Sequence, residues 1–204
     1  MNPKKLTEDK LIGAIYLGLL TSLILVVVII GKIAVTNKVV APSKNKAVIT
    51  TPTQTIFGPP VRLRIPSIGV DAAVENVGLT SDGSMEAPKN QDNVAWYQSG
   101  IRPGNVGSAV MAGHYGTWDN GRGSVFDNLS KLAKGDKVVV VDDRGQTTTF
   151  VVREIQVYDP QADATRVFIS NDGKSHLNLI TCKGNLNILS QKYPERLVIF
   201  SDKE

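Results

Sequence analysis

The sequence predicts a mainly β domain, a barrel or sandwich of about eight short strands with one or two short helices, behind a single apolar segment long enough to span a bilayer. Three observations predict it. From Val61 onward, short runs of alternating or β-branched residues recur between turn residues. Helical patterns do not alternate with those runs and no internal repeat is visible, which disfavours a doubly wound parallel sheet. Ahead of them, Leu11 to Ile30 is twenty residues without a charge.

Composition narrows the function classes. At 204 residues, 42% hydrophobic and 21% charged, the chain has the composition of one packed domain with an extension, not of a disordered or polytopic protein. The formal charge of +4 would suggest an anionic partner if it were spread over the domain. Residues 1–46, however, hold seven Lys against two acids, leaving 16 basic residues against 17 acidic ones in the rest. No basic stripe for nucleic acid remains, and none is expected as a partner. The single Cys excludes an intrachain disulfide and any multi-cysteine zinc site.

The elements follow in order. Residues 1–10 read as a short tail and 11–34 as a transmembrane anchor, since twenty residues at about 1.5 Å each cover a hydrocarbon layer of about 30 Å. A cleaved signal peptide would have an apolar part of only about 7 to 15 residues and a small-residue cleavage site. Lysines stand on both sides, at 4, 5 and 10 and at 32, 38, 44 and 46, so charge counting does not orient the anchor. Residues 35–58 have Pro42, Pro52, five Thr and no sustained period, which is a linker composition. A flexible coil of that length holds the following domain about 25 to 30 Å from the bilayer on average.

Domain residues 59–204 carry the expected strands: Val61–Ile65, Val70–Val77, Val94–Tyr97, Ser108–His114, Lys137–Asp142, Thr147–Tyr158, Leu177–Cys182 and Arg196–Phe200. The turn Asp143-Arg144-Gly145-Gln146 joins two of them at hairpin distance. One helix is expected near Ser124 to Ala133. Ser124 and Asp127 have the spacing of a capping box, Phe126, Leu129, Leu132 and Ala133 recur at helical spacing, and Gly135 sits where a left-handed cap would. It is expected to pack on the outside of the strands.

The chemistry starts from the lone thiol. Cys182 closes an apolar strand and precedes the loop Lys183-Gly184-Asn185, a place where sites cluster, although a small core residue there is the bland alternative. With a reference pKa of about 8.5, a catalytic thiol needs a base or cation beside it. His176 lies six residues upstream on the same strand, about 20 Å away at about 3.3 Å per residue. That leaves His114, at the end of its strand between Gly113 and Gly116. Arg196 opens the next strand, and if the two strands pair as an antiparallel hairpin it neighbours the thiol. A guanidinium there stays charged, favours a thiolate and can donate to an oxyanion. Its alternative is a surface charge paired with Glu195 or Asp202. Thr181, next to the thiol, is a candidate substrate-binding residue. No cofactor is expected. Asp142, Asp143 and Glu154 would make a weak calcium site only if the fold gathered them.

These residues resemble those of the sortases, membrane-anchored cysteine transpeptidases, and most those of the class lettered F. The likeness runs through Pro60-Val61-Arg62-Leu63-Arg64-Ile65-Pro66, Asp82-Gly83-Ser84-Met85 and Gly107 to His114, then Leu132-Ala133-Lys134-Gly135-Asp136 and Leu179-Ile180-Thr181-Cys182. Two positions depart from the pattern: Asn178, where the family commonly has Thr, and Lys183, where the class often has Gly. The resemblance implies a single closed β-barrel and a catalytic His, Cys and Arg at His114, Cys182 and Arg196. It further implies cleavage of an LPxTG-like sorting signal between Thr and Gly through a thioacyl-enzyme, and transfer to an amine of a cell-wall precursor or pilin lysine. The implied partners are sorting-signal-bearing surface proteins, and the implied location is a single-pass cell-membrane protein with its catalytic domain outside and residues 1–10 in the cytoplasm. Other possibilities are a cysteine hydrolase, another cell-wall transpeptidase, or a non-catalytic tethered binding domain. A papain-like enzyme is disfavoured because its Cys precedes its His, whereas here His114 comes first.

Overall fold

A computed structural model describes residues 57–118, 121–190 and 192–204. The expected anchor and most of the linker lie outside these residues. Among the described residues no helix is long and apolar enough to cross a membrane.

Eight strands form the fold: β1 (Pro60–Ile65), β2 (Val70–Val77), β3 (Val94–Tyr97), β4 (Gly107–Gly113), β5 (Lys137–Asp142), β6 (Thr147–Tyr158), β7 (Ser175–Lys183) and β8 (Glu195–Lys203). They close into a barrel in the order β1-β2-β3-β4-β7-β8-β6-β5, so the alternative of a sandwich is excluded. Closure leaves no unpaired sheet edge. The observed strands reproduce the expected ones to within a few residues at each end. The β5–β6 turn closes as anticipated, with the Asp142 amide donating to the Gln146 carbonyl at 2.9 Å.

Period-two alternation divides the side chains between two apolar clusters. Inside the barrel lie Leu63, Ile65, Ala109, Met111, Val138, Phe150, Leu177, Leu179, Leu197 and Ile199. The intervening residues Val110, Val198 and Phe200, with Ile180 packed against them, form a second cluster on the outer face together with Val167. Val167 belongs to the short helix α1 (Thr165–Phe168), the one α-helix among the described residues.

Two of the pairings are parallel, β2 with β3 and β4 with β7, and both have consequences for the outer face. Parallel neighbours that follow each other in sequence must be joined by a connection that travels the length of the barrel. Residues 78–93 therefore cross from the end of β2 to the start of β3. Residues 159–174, which carry α1, cross likewise because β6 and β7, each antiparallel to the β8 that lies between them, run the same way. These two crossings border the outer face of β4, β7 and β8.

The helix expected over Ser124–Ala133 does not form. The segment consists of turns with one 3₁₀ turn at Leu129–Lys131, after which Leu132 is already extended. Half of the capping box exists, since the Ser124 amide donates to Asp127 Oδ2 at 2.9 Å. The Ser124 hydroxyl instead donates to the Gly116 carbonyl at 2.6 Å, anchoring a loop rather than starting a helix. Phe126, Leu129 and Leu132 are buried as their spacing suggested, but they join the inner cluster and stop one end of the barrel rather than packing outside it. Spacing of three also fits successive tight turns, and the barrel mouth rather than local propensity selected them.

Phe126 touches the site end directly: a Cβ added at Gly113 would come within 2.4 Å of its ring. Phe126→Ala is expected to destabilise the domain by about 3 to 5 kcal/mol through the cavity it leaves. Chemical denaturation read by far-UV circular dichroism measures this, and a midpoint equal to the parent's would contradict the assignment of Phe126 to the core.

Candidate active site

Strand register brings the thiol and guanidinium together. Cys182 on β7 lies directly opposite Arg196 on β8, the arrangement expected if the two strands formed a hairpin. On the other side, β4 runs parallel to β7 with Ala112 beside Ile180. One residue further, the Thr181 hydroxyl donates to the Gly113 carbonyl at 2.8 Å. The next residue along each strand is His114 on one and Cys182 on the other.

Alternation sets the face. In β7 the sequence Asn178, Ile180, Cys182 has the parity of the outer cluster, as do Phe200, Val198, Arg196 in β8 and Val110 and Ala112 in β4, with His114 just past its end. All three candidate residues line one cleft of about 280 Å³. Its floor is Ala112 and Ile180, and its wall is Met85 to Pro88 from the 78–93 crossing. A smaller cavity of about 200 Å³ meets Cys182 from another direction, between Tyr115 and Phe126 and the loop Lys183-Gly184-Asn185.

Each candidate has defined partners. Cys182 is a free thiol, partly buried. Burial pushes its pKa above the ordinary thiol value, while the charge of Arg196 pulls in the opposite direction and only partly offsets it. His114 is half-buried, its Nε2 is 2.8 Å from the Pro88 carbonyl, and its ring meets Trp118 edge-on with centroids 5.0 Å apart. Arg196 is not an ion-paired surface charge. Its Nη1 donates to the main-chain carbonyls of Tyr193 and Glu195 at 3.3 and 3.0 Å. Glu195 instead faces Lys183 at 3.9 Å, and Asp202 is taken by Arg153 and His176. Among the described residues no carboxylate pairs with Arg196, so its charge is directed at the thiol.

Thr181 lines the cleft, but its side chain is buried and its hydroxyl is already committed to Gly113. His176 is placed as strand spacing required, six residues back along β7. There its two ring nitrogens meet Asp202 at 2.7 Å and Asp172 at 2.9 Å. Of the two departures from the motif, Asn178 is buried and its Nδ2 donates to the Val167 carbonyl at 2.6 Å, tying β7 to α1. Lys183 sits at the rim of the smaller cavity.

The calcium alternative fails on placement. Asp142 accepts the amides of Gly58, Arg144 and Gln146, and Glu154 binds Arg166. Among the described residues no group of three His, Cys or acidic side chains converges on a metal position.

Sequence reasoning missed four residues of the site: Pro88, Tyr115, Trp118 and Tyr193. Tyr115 and Tyr193 pack edge-to-face at 5.6 Å, and the Tyr193 hydroxyl donates to the Tyr115 carbonyl at 3.2 Å. Gly116 has φ +97°, and any Cβ there would fall 2.3 Å from that hydroxyl, so the loop after His114 needs glycine twice over. Aromatic residues close to His114 and Arg196 in sequence were the available signal. Pro88 offered none, lying 26 residues from His114.

Comparison with known proteins bears on the fold and the family. The family model described as Sortase domain matches residues 63–204. Among solved structures, the fold is similar to sortase C-1 from Actinomyces oris, with 25% identity and a TM-score of 0.54 over 70% of this chain and 72% of that one. It is also similar to a lid mutant of sortase A from Corynebacterium diphtheriae, at 19% identity and TM-score 0.56 over 75% and 74% of the two chains. A third is a sortase D5 transpeptidase from Clostridium perfringens, at 21% and 0.52 over 70% and 77%. No curated protein sequence matches the chain.

The opposed effects on Cys182 carry a prediction. Arg196→Met removes the influence that lowers the thiol pKa and leaves the one that raises it, so the midpoint of the alkylation rate against pH moves upward. Iodoacetamide labelling across pH reads this directly. A midpoint that stays put or moves down contradicts an electrostatic role for Arg196.

Proposed function

The chain belongs to the sortase family of cysteine transpeptidases, and from that premise we propose that Cys182 is the nucleophile, His114 the proton-transfer group and Arg196 the oxyanion donor. Their placement on adjacent strands around one cleft is the observation that carries this. In the proposed cycle His114 takes the thiol proton as the Sγ of Cys182 attacks the Thr–Gly carbonyl of an LPxTG-like sorting signal lying along the outer face of β4 and β7. The carbonyl oxygen gains negative charge beside the Arg196 guanidinium. Collapse breaks the C–N bond as His114 donates a proton to the departing amine, leaving a thioester on Cys182. An incoming amine attacks that thioester, gives its proton to His114 and expels the sulfur, forming a new amide.

Two cavities meeting at Cys182 support transfer, because donor and acceptor have separate approaches to one sulfur. Since the Thr181 hydroxyl is committed to Gly113, that residue serves the substrate by fixing β7 against β4 and through its remaining surface in the cleft. The acceptor is an amine of a cell-wall precursor or a pilin lysine. The motifs nearest the thiol and imidazole favour the class lettered F. The solved relatives carry other letters at identities too low to set a class. The uncharged run Leu11 to Ile30 supports a membrane anchor, with the domain held outside the cell by residues 35–58.

Two experiments test these proposals. Mixing the full chain with LPxTG-like peptides and an amine acceptor is expected to yield the transpeptidation product. Cys182→Ala abolishes it, His114→Ala lowers the rate by about 10² to 10⁴, and Arg196→Ala by about 10² to 10³. Undiminished product from Cys182→Ala would overturn the thiol chemistry. In cells, the full chain is expected to sediment with membranes and resist alkaline extraction, and deletion of residues 1–34 to release it. A chain lacking those residues that still resists extraction would remove the anchor.

A further inference from the structure

Among the described residues the hydrogen-bond partner of the His114 ring belongs to a distant connection, and the position of that connection is set by a carboxylate. Because β2 and β3 are parallel, residues 78–93 must cross the length of the barrel, and Pro88 is buried where this crossing passes His114. Its carbonyl lies 2.8 Å from His114 Nε2. A carbonyl only accepts, so Nε2 carries a proton, and in the neutral ring Nδ1 is then the single atom able to take another.

The crossing is fixed at both ends by acidic side chains. At the far end the Gly78 amide donates to Glu86 Oε2 at 2.9 Å, and the Glu86 amide returns a bond to the Gly78 carbonyl at 3.1 Å. At the site end Glu75 projects from β2 and gathers three donors. The Lys89 amide meets Oε2 at 2.8 Å, and the Asn90 amide and Asn93 Nδ2 meet Oε1 at 3.2 and 2.8 Å. Partial burial opposes ionisation of Glu75, but these three donors prevail and hold its pKa below the ordinary carboxylate value.

Building on the assignment of His114 as the proton-transfer group, we infer that Glu75 is a positioning residue for the reaction: its carboxylate pins the turn beginning at Lys89, so that the Pro88 carbonyl holds Nε2–H and commits Nδ1 to proton transfer. The relay is Glu75 to the amides of Lys89 and Asn90, through the intervening peptide to the Pro88 oxygen, and from there to the imidazole. Glu75 touches neither substrate nor thiol. It acts on which ring nitrogen is free, much as an outer partner fixes the tautomer of a metal-bound histidine.

The test is nitrogen NMR of the detergent-solubilised full chain carrying ring-labelled histidine. The sequence has only two histidines, and His176, held by Asp202 and Asp172, serves as the internal reference. His114→Gln assigns the signals. In the parent, neutral His114 is expected in the Nε2–H form. Glu75→Gln keeps the shape but turns an amide nitrogen toward a main-chain N–H. It is expected to give a mixture of tautomers and to lower kcat by about tenfold with KM nearly unchanged. Asn93→Ala, which removes one of the three donors, shifts the mixture less and stands in should Glu75→Gln not fold. A parent His114 in the Nδ1–H form overturns the inference, as does a folded Glu75→Gln with parental tautomer, whatever its activity. Because the tautomer is read without substrate, failure here is distinct from failure of the catalytic assignment, which full activity in His114→Gln would reveal.

Discussion

Thr181 Oγ1 donates to the Gly113 carbonyl between two parallel strands, and the register it marks governs the rest of the molecule. A parallel pair keeps corresponding residues side by side as both strands advance, so the ends of β4 and β7 arrive together. The antiparallel partner β8 begins where β7 ends. Three strands thus deliver an imidazole, a thiol and a guanidinium to the same barrel end. A shift of one residue in β7 would turn Cys182 toward the interior and Thr181 outward. The inner cluster, with Leu177 and Leu179 fully buried, resists that shift, so the apolar core maintains the register of the candidate site.

Parallel pairing also supplies the walls. Antiparallel neighbours can be joined by tight turns, but the parallel pair β2 and β3, and β6 and β7 running the same way on either side of β8, require connections that run back along the barrel. Residues 78–93 and 159–174 are those connections, and they make a cleft from what would otherwise be an exposed sheet face. The loop after β4 remains at the site end and fills the barrel mouth with Phe126, Leu129 and Leu132. Its remaining residues surround the imidazole with Tyr115 and Trp118. Core-forming and site-forming roles therefore alternate along a single loop.

The electrostatics are restrained. Burial raises the Cys182 pKa and Arg196 only partly offsets it. Arg196 is kept available because Lys183 and Arg153 occupy the neighbouring carboxylates and its own donors rest on main-chain carbonyls. A fixed cation with no counter-ion among the described residues, in a partly dry cleft, favours negative charge when it develops, which suits a reaction passing through an oxyanion.

The strands were legible in the sequence because alternation of side chains along a strand is a local property, and the eight runs from Val61 to Phe200 display it. The pairing of Cys182 with Arg196 was legible as well, since both flank one short connection, and His114 emerged because strand spacing removed His176. The segment from Ser124 to Ala133 was misread: a repeat of three or four fits a helix and a string of tight turns equally, and only the open barrel mouth decides between them. Glu75 and Pro88 left no local trace. Their relation to His114 exists because parallel strands oblige a connection to cross the barrel, and pairing direction is a property of the closed sheet. The sequence by itself determined the strands and the family. Tertiary structure alone decided which face carries the site, what walls it and which carbonyl meets the imidazole, because those depend on contacts between segments distant along the chain.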